Sequence, residues 1–225
     1  MNNYRIKVVT KSPTLLGSGE GWGSVVDADI IFDEAGLPSF PARRLKGLLR
    51  ESAQEILEMF ETSGIDYFKT GDLETAFGKT GSINGGILVF NSLQIPDYEQ
   101  VYSWCQWAMA KYPGLISQEV IVNAQTETRE HTAINPDGVA KDNSLRRMRA
   151  VRANTVFEGQ VALARNDKKT LALLALACLN LHYVGTSRHK GYGEISCTLY
   201  EGETNLCPKI ITELREGDSD VHNRV

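Results

Sequence analysis

Pro41-Ala42-Arg43-Arg44-Leu45-Lys46-Gly47-Leu48-Leu49-Arg50-Glu51-Ser52-Ala53-Gln54-Glu55-Ile56-Leu57-Glu58-Met59-Phe60-Glu61-Thr62-Ser63-Gly64 is the stretch from which the rest of the fold is read. Leu45, Leu48, Leu49, Ile56, Leu57 and Phe60 recur at helical spacing, and Ala53 fills the same stripe. Pro41 suits the first turn and Gly64 the stop. The spacing predicts one long helix with a single face committed to a core. Gly47 costs the helix about 1 kcal/mol relative to Ala, which suggests close approach by another backbone.

Upstream, Tyr4–Val9 reads as a strand, with Tyr4, Ile6 and Val8 on one face and Arg5 and Lys7 on the other. Downstream, Gly86–Leu93 reads as a strand, Glu99–Lys111 as a helix stopped by Pro113, and Glu119–Ala124 as a short strand. Residues from Thr126 to Val151 are polar and rich in Arg, Asn and Asp, which marks a long excursion from the core. Val156–Ala164 returns to strand character, Thr170–Tyr183 is apolar nearly all round and reads as a buried helix, and Gly193–Tyr200 is a last strand. Without the excursions the order is βαββαβ, the order of a ferredoxin-like (RRM-like) α+β core whose antiparallel sheet is covered on one face by two helices. The expected organisation is one domain over residues 1–200, with an insertion about 97–152 that includes a hairpin about 126–152. Glu201–Val225 reads as a weakly structured acidic tail.

The net charge is −4 over 225 residues, but the charges are segregated. Arg43, Arg44, Lys46 and Arg50 form one basic cluster, Arg146, Arg147, Arg149 and Arg152 a second, and Arg188, His189 and Lys190 a third. A basic stripe needs only a local excess, so the overall sign does not exclude a polyanionic partner. The apolar fraction of 42% excludes wholesale disorder. No apolar run approaches the roughly 20 residues that cross a bilayer. The start, Met1-Asn2-Asn3-Tyr4-Arg5, lacks the pattern of a signal peptide. Cys105, Cys178, Cys197 and Cys207 are scattered without metal-ligand spacing. A reduced cytoplasmic protein without a membrane partner is expected.

Several chemistries fail on spacing. After Gly17-x-Gly19 the dinucleotide fingerprint requires glycine where Trp22 stands, and a P-loop ending in Gly78-Lys79-Thr80 requires glycine at Leu73. The sequence has no H-E-x-x-H, nucleophile elbow or EF-hand loop. The basic residues opening the Pro41–Gly64 helix oppose its dipole, a cost that a bound phosphate would offset. A solvated basic face paired with Glu51 or Glu55 is the plainer reading of the same residues. Gly185-Thr186-Ser187-Arg188-His189-Lys190-Gly191-Tyr192-Gly193 combines tight-turn glycines, three basic residues and an aromatic face at Tyr192 on which a base could stack. Arg129, His131 and the Arg146–Arg152 cluster, interspersed with Ile134, Val139, Leu145 and Met148, suggest a hairpin that wedges between nucleotides while its arginines hold phosphates. Asp27 and Asp29 fall on one face of an extended run and could share a divalent cation; an exposed strand edge guarded by charges explains them equally. His131 and His189 could instead serve as acid and base on a ribose hydroxyl, although no spacing rule links them.

Together these segments resemble the RAMP superfamily, and within it the backbone subunit of type III CRISPR effector complexes. The likeness is carried by Val26–Asp33, Gly36-Leu37-Pro38 and Phe40-Pro41 leading into Arg44-Leu45-Lys46-Gly47-Leu48-Leu49-Arg50. Leu73–Gly78 with the strand Gly86–Leu93, the hairpin Thr132–Arg146 with Val156-Phe157-Glu158-Gly159, and the loop Gly185–Gly193 add to it. The resemblance implies an assembly of related subunits, with a large polymerase-like subunit, along a CRISPR guide RNA. Each hairpin, the thumb, would push one base aside. It further implies cleavage of the target single-stranded RNA beside that base with Mg2+ or Mn2+, Asp27 matching the family's catalytic, metal-binding aspartate. Ala42-Arg43-Arg44 departs from the family's usual glycine-serine-serine. A purely architectural subunit and a guide-processing ribonuclease are the alternatives.

Overall fold

Strand alternation sets which side of the first strand meets the core. In the computed structural model of the chain, which describes residues 2–17, 30–79, 81 and 85–222 (side chains through 216), Tyr4, Ile6, Val8 and Thr10 are buried. Arg5 and Lys7 point to the opposite face. The elements run β1 (Asn2–Thr10), α1 (Ala42–Thr62), α2 (Thr70–Phe77), β2 (Leu88–Phe90), α3 (Tyr98–Lys111), α4 (Gln118–Gln125), β3 (Thr126–His131) and β4 (Arg146–Val151). They continue β5 (Val156–Leu163), α5 (Lys168–Asn180), β6 (Ile195–Glu201), β7 (Thr204–Asn205) and α6 (Leu206–His222).

The larger sheet is antiparallel with order β2-β5-β1-β6-β7. Taking β1, β2, β5 and β6 as the core strands and α1 and α5 as the connecting helices gives the ferredoxin-like arrangement. Helix α1 buries Leu45, Leu49, Ala53, Ile56 and Leu57 against α5. Where the two helices pack, the Ser52 hydroxyl donates to the Ala177 carbonyl at 2.9 Å. Gly47 is exposed, and among the described residues no other chain segment comes within contact of the place where a Cβ would stand.

The other face of the sheet is a neutralised polar surface. Arg5 pairs with Glu158 at 2.9 Å and Glu203 at 3.2 Å and lies over the Tyr200 ring, while Lys7 also reaches Glu158. The aromatic ring on this face is thus already covered by a cation.

Two expectations are corrected, and one helix is added. Glu119–Ala124 is helical, not extended: Ser117 Oγ accepts from the Val120 N–H, and Ile121 and Val122 are buried by coiling. Capping and burial override the β-branched run Val120-Ile121-Val122. Helix α2, which the sequence reading does not include, sends Leu73, Ala76 and Phe77 into the core. Glu201–Val225 is not a loose tail through its described part. Leu206, Cys207 and Ile210 of α6 are buried in the main core, because they recur on one face while Glu213 and Glu216 are exposed. Asn205 Oδ1 accepts from the Cys207 N–H to start that helix.

The insertion has its own small core, in which Cys105 and Ile121 pack against Ala35 and Leu37. Asp33 organises the junction. Its carboxylate accepts from the Ala35 and Leu37 amides and from the Tyr98 hydroxyl at 2.8 Å. Strands β3 and β4 form a separate two-stranded hairpin, from Thr126 opposite Val151 to His131 opposite Arg146. Its tip exposes Ile134, Val139 and Leu145. No helix among the described residues is long and apolar enough to cross a membrane.

Candidate functional site

The segment after β1, Pro13–Gly17, runs between the hairpin, the Gly185–Gly193 loop and the start of α1. Thr14 exchanges two backbone hydrogen bonds with Val151, each 2.9 Å, at the base of the hairpin. The Pro13 carbonyl accepts from the Gly193 N–H at 3.0 Å and the Leu15 carbonyl from the Thr186 N–H at 3.3 Å. The Gly17 carbonyl accepts from Arg44 Nη2 at 2.8 Å. Three basic segments far apart in sequence are therefore tied to five consecutive residues of one extended chain.

The glycines of the loop make this approach possible. A Cβ on Gly185 would stand 2.3 Å from the Leu15 carbonyl oxygen, and one on Gly193 would stand 2.0 Å from that of Val184. Both have φ near +78°, a backbone conformation that side-chain-bearing residues seldom adopt. Between them Arg188–Lys190 form one turn of 3-10 helix entered through Ser187 and left through Gly191, both left-handed. Arg188, His189 and Lys190 are exposed on it.

The predicted site residues divide by what they touch. Arg43 is exposed and Lys46 half-buried on the first turns of α1, and neither has a carboxylate partner among the described residues. Of the two acids expected to neutralise them, Glu51 and Glu55, the second instead accepts from Asn180 at 2.7 Å. Helix α1 has no acidic residue in its first turn and no basic one in its last. Its own dipole therefore adds to the positive field at the Arg43–Lys46 end. Arg50 is half-buried one turn further along. On the hairpin Arg146 is exposed, Arg147 pairs with Glu130 at 2.8 Å and Arg129 with Glu127 at 2.6 Å. Arg152 donates to the Ala124 and Asn123 carbonyls and so closes the hairpin base.

Two residues read as RNA contacts are instead internal. Tyr192 is 7% exposed, packed with Leu15, Ala150 and Met148, so it offers no stacking face. Its hydroxyl meets His131 Nε2 at 2.9 Å, which also engages the ring that was a candidate acid or base. Arg149 is 4% exposed because the hairpin meets the body there. The Pro13–Gly17 segment escapes a reading of the sequence, since it contributes carbonyl groups that no side-chain pattern announces.

Asp27, Asp29 and the glycine-rich stretch Ser18–Gly23 lie outside the described residues. The residues flanking that segment, Gly17 and Ile30, pair as an antiparallel bridge beside Arg44. Among the described residues no group of three or more His, Cys, Asp or Glu side chains could hold a metal ion.

The sequence matches the RAMP superfamily over residues 7–196, most of the chain, and the protein belongs to that superfamily. No curated protein matches it. Among solved structures it resembles a chain of the type III-B Cmr-beta complex in its apo state. The TM-score is 0.62 at 13% identity, covering 89% of this chain and 98% of that one. It likewise resembles a chain of the type III-B Cmr-beta complex bound to cognate target RNA, with a TM-score of 0.61 at 12% identity over 88% and 97% of the two chains. At such identities the likeness is one of fold.

Proposed function

We infer that the protein is a guide-RNA-binding backbone subunit of a type III CRISPR effector complex, holding one stretch of the strand between helix α1, the Arg188–Lys190 turn and the β3–β4 thumb. The observation that carries this reading is the tethering of all three basic segments to Pro13–Gly17. Arg43, Lys46, Arg188, His189 and Lys190 supply the phosphate contacts, with Arg146 on the thumb. Membership of the RAMP superfamily and the fold shared with Cmr-beta chains support the same reading. The polar face of the sheet is excluded as the stacking platform, because Tyr200 is covered by Arg5 and the cations there are paired.

In this reading the partners are the guide RNA, a single-stranded RNA target paired to it, other RAMP subunits and a large polymerase-like subunit. The exposed Ile134, Val139 and Leu145 at the thumb tip act as the wedge that unstacks one base. The target strand is then cut beside the displaced base. Asp27 is the residue assigned to that step, and a bound Mg2+ or Mn2+ would supply charge stabilisation for the departing oxygen. The chain's other residues act by holding the strand in line.

Binding is tested by fluorescence anisotropy of a labelled single-stranded RNA, titrated from about 50 to about 200 mM salt. Replacing Arg43, Lys46, Arg188 and Lys190 by Gln should weaken affinity and flatten the salt dependence by about 0.7 in logarithmic slope for each phosphate left without its cation. Unchanged affinity and slope in the quadruple variant would refute the assignment.

A further inference from the structure

We propose that Tyr192 is a positioning residue that braces the thumb, fixing its angle to the cationic turn formed by Arg188–Lys190. The hairpin is held to the body at its base, through Thr14 with Val151 and Arg152 with Asn123 and Ala124. His131 lies at the other end of the paired strands, five residues beyond Thr126, or about 17 Å at the strand rise. A hairpin gripped only at its base would pivot there. The contact between Tyr192 and His131 supplies a second point, and two points define a direction.

The geometry of that second point is specific. The phenol oxygen and His131 Nε2 are 2.9 Å apart, and the rings meet edge to face with centroids 5.8 Å apart. Tyr192 is itself immobilised, because its ring packs against Leu15, Ala150 and Met148. Gly191 and Gly193, at φ of 83° and 78°, carry the chain in and out of this buried position. Tyr192 follows Lys190 by two residues, so the same loop that presents the cations carries the brace. Thumb angle and cation position are thus set by one rigid piece of chain.

The role in RNA binding rests on the function proposed above; the brace itself does not. The test therefore begins with amide hydrogen exchange on the purified chain without RNA. Tyr192→Phe keeps the ring and removes the hydroxyl. It should speed exchange of the β3 and β4 amides about five-fold, as loss of one hydrogen bond of ordinary strength would, with β1 and β5 unchanged. His131→Phe, which alters a half-buried thumb residue, should give the same pattern even if Tyr192→Phe folds poorly. The double variant should be no faster than either single one. Thumb exchange unaltered in both single variants would overturn the brace. The second arm uses an RNA carrying 2-aminopurine at successive positions. With the brace intact one position should brighten on binding, and in Tyr192→Phe that signal should fall at least two-fold while affinity changes less than two-fold. A signal that stays sharp would overturn the link between brace and base displacement. Failure of the wild type to bind RNA would overturn the proposed function and leave the exchange result standing.

Discussion

Arg44 donates from Nη2 to the carbonyl of Gly17 at 2.8 Å, so the first turn of α1 is fastened to the segment that also carries the thumb base and the Gly185–Gly193 loop. A residue that reads as one more phosphate contact is thus a structural tie. Arg44→Ala should destabilise the fold by about 1 kcal/mol, the worth of one hydrogen bond. Arg44→Lys should recover only part of it, since the ammonium lacks the guanidinium's fixed fork. Urea unfolding of the three proteins decides this.

The thumb arginines are predicted to differ among themselves. Arg146 is exposed, whereas Arg147 and Arg129 are paired with Glu130 and Glu127. Arg146→Gln should therefore weaken RNA binding about three-fold or more at low salt. Arg129→Gln should change it by less than two-fold, because an engaged surface cation gives up one attraction to gain another. Anisotropy titrations at matched ionic strength compare the two.

For cleavage, Asp27→Ala in the assembled complex should abolish the cut beside this subunit while RNA affinity stays within two-fold. Asp29→Ala should leave the cut in place. Mapping product ends on a labelled target checks both, and intact target opposite the wild-type subunit would identify it as architectural.

Gly47 sits mid-helix, and none of the described residues outside its own helix backbone comes within 4 Å of the position a Cβ would take. Gly47→Ala should stabilise the free protein by about 1 kcal/mol through helix propensity. If RNA passes close over this turn, the same change weakens binding. Melting and anisotropy measured on one preparation separate the two effects.

The Asp33 junction gives a pH dependence. Burial and the neighbouring Asp33 carboxylate push the Tyr98 phenol up to about 12 from its ordinary 10.0. Its ionisation is harder in the folded protein than in the unfolded chain. The stabilisation is therefore complete below pH 10 and disappears as pH rises towards 12. Tyr98→Phe should remove this component, so wild type should lose more stability than the variant as pH rises from about 9 to about 11.5 in urea titrations.

The core elements are legible wherever one period dominates. Leu45 through Phe60, the alternation in β1 and the apolar run of α5 each admit a single placement, and the order of strands then follows. Val120-Ile121-Val122 misleads because three β-branched residues suit a strand, whereas the Ser117 cap and the partner surface at Ala35 and Leu37 favour coiling them. The acidic character of residues after Glu201 hides the stripe of Leu206, Cys207 and Ile210. Local composition weighs charge count above spacing. At the site, the three cationic clusters are readable as clusters. Tyr192 misleads in its turn, because flanking glycines signal a sharp bend without saying towards which side the ring is carried.

Main-chain carbonyls at Pro13, Leu15 and Gly17 hold the surroundings together, and carbonyls are indifferent to which side chain accompanies them. For those contacts length matters more than identity, although Thr14, Leu15 and Leu16 are themselves buried. One inserted residue would put the contacts to Thr186, Gly193 and Arg44 out of step together, since successive carbonyls alternate in direction along an extended chain. Diversification of this stretch is therefore held to side chains that fit the buried places of Thr14, Leu15 and Leu16, and is closed in length.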